Sequence, residues 1–125
     1  MSRPVHFDIT ADDPERAVAF YEKAFGWKLT HWEGGGPMDY WLIETGPDSD
    51  MGINGGLSRR DEGAAPATTN TIAVESLDDA MTAVREAGGE IIQERMPIPG
   101  VGWFSAFTDT EGNRFGLMQP DESAG

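Results

Sequence analysis

The chain has 125 residues, 38% of them hydrophobic, with four Trp, six Phe and no Cys. That length suffices for one packed domain and is too short for two ordinary ones, and the absence of Cys excludes disulfides, a thiol nucleophile and a zinc–thiolate site. Nine basic residues stand against 22 acidic ones, a formal net charge of −13, so neither DNA, RNA nor an anionic membrane surface is an expected partner.

From the N-terminus, Val5, Phe7 and Ile9 alternate with His6, Asp8 and Thr10, which predicts a half-buried strand. Asp13-Pro14 opens a helix as N-cap and first helical residue. Ala17, Val18, Tyr21, Ala24 and Phe25 recur at helical spacing, and Gly26 ends the run. Trp27–Trp32 and Tyr40–Thr45 read as strands around the turn Gly34-Gly35-Gly36-Pro37. Met51–Leu57 reads as a Gly-rich strand after the loop 46–50. Residues 59–67, polar and small, read as a linker between a first module, 1–58, and a second, 68–120, followed by a tail, 121–125.

The second half repeats the first. Thr69–Val74 is a predicted strand, and Ser76 with Asp79 caps a helix whose apolar face is Leu77, Ala80, Met81, Val84 and Ala87. Gly88-Gly89 ends it. Glu90–Glu94 is a strand, Met96–Gly100 an apolar loop, Trp103–Thr108 a strand, 109–113 a turn and Arg114–Gln119 the closing strand. An offset of 63 carries Ala17 to Ala80, Gly26 to Gly89, Tyr40 to Trp103, Trp41 to Phe104 and Thr45 to Thr108. Each half is strand–helix–strand–strand–strand, and a lone half leaves a sheet face bare, so two are expected to pack together.

The dispersed acids, with Lys23 and Lys28 the only lysines, form a solvating surface that suits a salt-rich cytoplasm as well as it suits an ordinary acidic protein. No apolar run approaches the ~20 residues of a membrane span, and no signal-peptide core is evident, so a cytoplasmic location is expected. Neither Gly34-Gly35-Gly36-Pro37 nor Gly100-Val101-Gly102 has the context of a phosphate loop. The pairs Asp12-Asp13 and Asp78-Asp79 sit at helix starts, where the helix dipole accounts for them.

The opening Val5-His6-Phe7-Asp8-Ile9, the helix from Asp13-Pro14 through Ala19-Phe20-Tyr21 to Phe25-Gly26-Trp27, and the hairpin Trp103-Phe104 to Asp109-Thr110-Glu111-Gly112-Asn113-Arg114-Phe115-Gly116-Leu117 resemble the vicinal oxygen chelate superfamily. That superfamily includes glyoxalase I, the extradiol dioxygenases and the bleomycin and fosfomycin resistance proteins. Its hairpin usually reads Asp-Pro-Glu-Gly-Asn, and Thr110 replaces the Pro here. The resemblance implies an α+β fold of two βαβββ modules forming a concave mixed sheet with helices on the outer face, and a homodimer. It implies a small organic molecule bound in the inter-module cavity.

In metal-dependent members each half supplies one ligand from its first strand and one from its last. His6 matches the first such position. Thr69, Gly116 and Ile53 or Gly56 match the others, and Asn54 would serve only in a shifted register. His6 is therefore the single candidate metal ligand. The expected cofactor set is empty, with a divalent metal only if residues such as Glu44 or Gln119 are recruited.

His6 is the candidate catalytic or binding residue; the alternative is a half-exposed histidine without a task. Tyr40 and Trp103, the offset pair, are expected to line the cavity with Asn54, Gln119 and Met96, the last on a loop that is either a cavity rim or a plain connection. The aromatic residues also suit a core or a dimer interface. His31 is expected on the surface. Two functions remain: a glyoxalase-like enzyme of the lyase or dioxygenase type, or a non-catalytic binding protein of the bleomycin-resistance kind.

Overall fold

In the computed structural model, which describes residues 2–33 and 39–125, each half of the chain folds as a strand, a helix and three strands. The first comprises β1 (Ser2–Ala11), α1 (Pro14–Phe25), β2 (Lys28–His31), β3 (Tyr40–Glu44) and β4 (Asn54–Arg59). The second comprises β5 (Thr68–Val74), α2 (Leu77–Glu86), β6 (Glu90–Ile98), β7 (Gly102–Thr108) and β8 (Arg114–Pro120). The fold class is thus α+β with two βαβββ modules. By compactness the chain divides into residues 6–68 and residues 69–125 with the first residues of β1. The predicted turn at Gly34–Pro37 lies outside the described residues.

Within the first module the strand order is β2-β3-β4-β1, and within the second β5-β8-β7-β6. β1 runs parallel to β4 and β5 to β8; the other pairs within each module are antiparallel. The alternation on β1 puts Phe7 and Ile9 on the helix side. There they pack with Ala17, Val18, Tyr21, Trp27 and Trp41 around buried Ala11, Leu29, Ile43 and Leu57. The second module repeats this with Val74, Leu77, Met81 and Leu117, joined by Ile72, Val84, Ile91 and Phe107. Among the described residues no helix is long and apolar enough to cross a membrane.

The helix signals act as read. Asp13 Oδ1 accepts from the Arg16 amide at 3.2 Å, Pro14 starts α1, and Gly26 at φ +71° takes the left-handed cap that a side chain would resist. Ser76 Oγ accepts from the Asp79 amide at 3.2 Å. Phe25 is a departure. It is expected on the apolar face but is exposed, with its ring 5.4 Å from Trp27.

Two strand boundaries also depart. Met96–Ile98, expected as a loop, extends β6, with Met96 opposite Phe104 and Pro97 opposite Trp103. Proline is tolerated because β6 ends the strand order of its module, where a missing N–H costs no ladder bond. Met51, Gly52 and Ile53 precede β4 instead of belonging to it. The strand begins where Asn54 Oδ1 accepts from the Thr45 amide at 2.9 Å and so closes the intervening loop.

Candidate functional site

On β1 the residues out of step with the core, His6, Asp8 and Thr10, project from the sheet face turned away from α1. Tyr40, the first residue of β3, joins them. Its hydroxyl donates to Asp8 Oδ1 at 2.6 Å and lies 3.0 Å from His6 Nε2, which is itself 3.3 Å from Asp8 Oδ1. Three polar side chains thus close a triangle, with His6 and Asp8 each 33% exposed, so the cluster is held by the protein and reached by solvent.

β3 and β1 are not neighbours; β4 runs between them, so Tyr40 must reach across about 9–10 Å of sheet. Gly56 makes this possible. It lies opposite Asp8 on β1 and Leu42 on β3, and a Cβ built there would collide with the Tyr40 hydroxyl. The phenol therefore occupies the space that a side chain at position 56 would need. Burial, followed by the Asp8 charge and hydrogen bond, raises the Tyr40 pKa far above its usual range, so the phenol stays protonated and acts as a donor.

The second module contains the same construction without a His–Asp–Tyr triangle. Phe104 on β7 lies over Gly116 on β8, where a Cβ would meet the Phe104 ring at 2.8 Å and Thr71 Oγ1 at 2.8 Å. Thr71, opposite Gly116, is buried. Tyr40 therefore corresponds to Phe104 and not, as the offset of 63 predicts, to Trp103.

That slip of one residue moves Trp103 to the other face. It packs against the α2-side core, donates from Nε1 to Asp121 Oδ2 at 3.1 Å, and has the Arg95 guanidinium 4.4 Å from its ring centroid. Gln119, opposite Trp103, also departs from its expected place. Its Oε1 accepts from the Leu77 amide at 2.8 Å and satisfies an unpaired N–H at the start of α2. Asn54 sits opposite His6 but is engaged by Thr45. Met96 is exposed on β6, its sulfur beside the Gln93 amide. Of the six residues singled out in the sequence, the structure brings together His6 and Tyr40. The residue not singled out is Asp8, whose signal was its shared strand face with His6; the signal for the reach of Tyr40 was Gly56.

The donor set fits a metal poorly. Among the described residues no three His, Asp or Glu side chains gather in a geometry able to hold an ion. The positions that the superfamily pattern gives to ligands from the closing strands, Gly56 and Gly116, are covered by aromatic rings.

His31 forms a separate, exposed cluster. Its Nδ1 meets Glu33 Oε1 at 2.9 Å and its Nε2 meets Asp39 Oδ1 at 3.0 Å, while Arg59 donates to Asp39 Oδ2 at 3.0 Å. The hydrogen bonds to Glu33 and then Asp39 raise the His31 pKa above its ordinary value.

The family model described as Glyoxalase/Bleomycin resistance protein/Dioxygenase superfamily matches residues 3–117. The glyoxylase-like protein CFP32 of Mycobacterium tuberculosis is 27% identical over 113 residues, which cover 90% of this chain. The match spans 42% of that relative's length. The lactoylglutathione lyase of Salmonella typhimurium is 25% identical, with 97% of this chain and 95% of that protein covered. Among solved structures, methylmalonyl-CoA epimerase from Mycobacterium tuberculosis superposes with a TM-score of 0.71 at 19% identity, covering 94% of this chain and 87% of that one, and so shares the fold.

Proposed function

Because this chain belongs to the Glyoxalase/Bleomycin resistance protein/Dioxygenase superfamily, we propose that it binds a small organic molecule at the His6–Asp8–Tyr40 cluster, without a bound metal. The observation that carries this reading is the convergence of three partly exposed polar side chains from two strands on the face opposite the core. A few fixed polar groups on a sheltered surface are what orients a small ligand. Tyr40 offers no phenolate, Asp8 has its Oδ1 occupied by the phenol, and His6 is the group left to meet a ligand.

The rings over Gly56 and Gly116 favour a binding protein, or a metal-independent enzyme, over a metal-dependent lyase or dioxygenase. A divalent ion needs three or four N or O ligands, and His6 alone does not supply them. The kinship with a lactoylglutathione lyase makes methylglyoxal with glutathione the substrate pair to test first. We expect purified protein to retain no stoichiometric metal and to show no turnover of that pair with zinc or nickel added. Stoichiometric metal together with turnover would overturn the metal-free reading. Crystals soaked with a small-molecule library should show density beside His6, and His6→Ala should abolish that binding. A library that never occupies this face would overturn the site. We further propose a homodimer, as is common in the family, and a cytoplasmic location; sedimentation at micromolar concentration tests the dimer.

A further inference from the structure

We propose that Tyr40 and Asp8 fix the tautomer of His6 so that the neutral ring presents an unprotonated Nδ1, which makes the site a receptor for neutral or cationic hydrogen-bond donors, such as hydroxyls and amines, and excludes carboxylates. The inference rests on the reading of this cluster as a ligand site and deepens it by naming the ligand class.

The phenol has one proton, and it is committed. At 2.6 Å from Asp8 Oδ1 it donates to an acceptor-only carboxylate, a charge-assisted bond stronger than one to a neutral imidazole. The Tyr40 oxygen therefore faces His6 Nε2, 3.0 Å away, as an acceptor. Asp8 Oδ1, 3.3 Å from the same nitrogen, is a second acceptor. A bare Nε2 would oppose its lone pair to both oxygens, whereas a protonated Nε2 satisfies both. The proton of the neutral ring consequently sits on Nε2, and Nδ1 carries the lone pair.

The cluster holds one formal negative charge, on Asp8, within a chain of net charge −13. A carboxylate brought to Nδ1 would meet lone pair against lone pair beside that charge, whereas a hydroxyl or ammonium would find an acceptor and a favourable field. Gly56 is integral to the device, since the phenol reaches Asp8 only over a position without a side chain.

The chain has two histidines, so His31→Gln leaves His6 as the single imidazole. Two-bond 1H–15N spectra of that protein, recorded near pH 8 where an ordinary histidine is neutral, should show the Nε2–H tautomer. A dominant Nδ1–H form, or an even mixture, overturns the inference and leaves the small-molecule reading standing. Asp8→Ala frees the phenol proton to donate to Nε2, so the Nδ1–H population should rise; an unchanged tautomer overturns the role given to Asp8. The wild-type spectrum, in which the second set of imidazole signals is His31, should show the same His6 tautomer and so needs no variant that fails to fold.

Ligand class is read with three probes of similar shape. Benzyl alcohol and benzylamine should shift the His6 ring signals, and benzoate should bind about tenfold or more weakly, as expected when an acceptor is set against an acceptor. Equal or tighter binding of benzoate, or a His6 ring untouched by all three probes, overturns the ligand class. The library soak judges the small-molecule reading independently.

Discussion

At the scale of single residues, Gly56 carries more of the site than any polar group does. Its missing side chain lets a tyrosine on β3 satisfy an aspartate on β1, and a methyl group there is enough to break the contact. Gly56→Ala should displace the Tyr40 ring and cost about 1–3 kcal/mol through overpacking. Tyr40→Phe keeps the ring and loses one hydrogen bond to a charged group, about 1.5–3 kcal/mol for a buried pair and less at this partly exposed one. Gly56→Ala removes none of the three polar groups, yet it should weaken the Nε2–H preference of His6 in the 15N spectrum, Asp8 Oδ1 remaining as the acceptor, while urea denaturation gives the stability cost. His6 and Asp8 were legible as strand-face neighbours from a period of two. Their link to Tyr40 was not legible, because it crosses an intervening strand, and such a contact leaves no local spacing in the chain.

At the scale of elements, capping chemistry and alternation were readable because they are local: Asp13-Pro14, Gly26 and Ser76 act within one helical turn of themselves. Register was not. The repeat holds at an offset of 63 for β1 and β5, where Ile9 and Ile72 face their helices opposite Leu57 and Leu117, and it slips by one at β3 and β7. Trp103 was thereby placed on the wrong face, since a single-residue slip exchanges the two faces of a strand. The pair of prolines near the end of β6 reads as a loop in sequence, and only the strand order shows that part of it lies in an edge strand.

The β2–β3 hairpin carries a pH-sensitive clasp. His31 on β2 is bonded by Glu33 and by Asp39, which Arg59 also holds, and its ring meets Trp41 edge-on at 4.8 Å. Two carboxylates on both ring nitrogens require the protonated ring. Its folded pKa is raised, so its contribution is fully present below the unfolded value and is lost as pH rises through the folded one. An NMR titration should place the His31 midpoint above about 6.5. His31→Gln should flatten the pH dependence of stability in that window, and a midpoint at or below the ordinary value would remove the clasp.

At the scale of the whole molecule, the net charge of −13 is a property of the surface and says little about the fold. Its consequence is self-repulsion, which salt screens. Raising ionic strength from about 0.05 to about 0.5 M shortens the Debye length from roughly 14 to roughly 4 Å, so the urea midpoint should climb over that range. A flat response would overturn self-repulsion as a measurable cost to the fold. The family and the two-module architecture were visible in the sequence, because repeated elements and hairpin motifs survive as patterns. The placement of each aromatic residue was not, because it depends on which positions across the sheet are empty.

The ring over glycine also couples two positions that are distant in the chain. Introducing a carboxylate at position 56 while Tyr40 remains produces a collision, and trimming Tyr40 first opens a hole beside Asp8. The same exclusion holds between positions 104 and 116. A side chain at either glycine is therefore tolerable only together with a smaller residue at position 40 or 104, so each pair of positions changes as a unit. A relative that keeps a carboxylate at either glycine position should therefore carry a small residue where this chain has its ring.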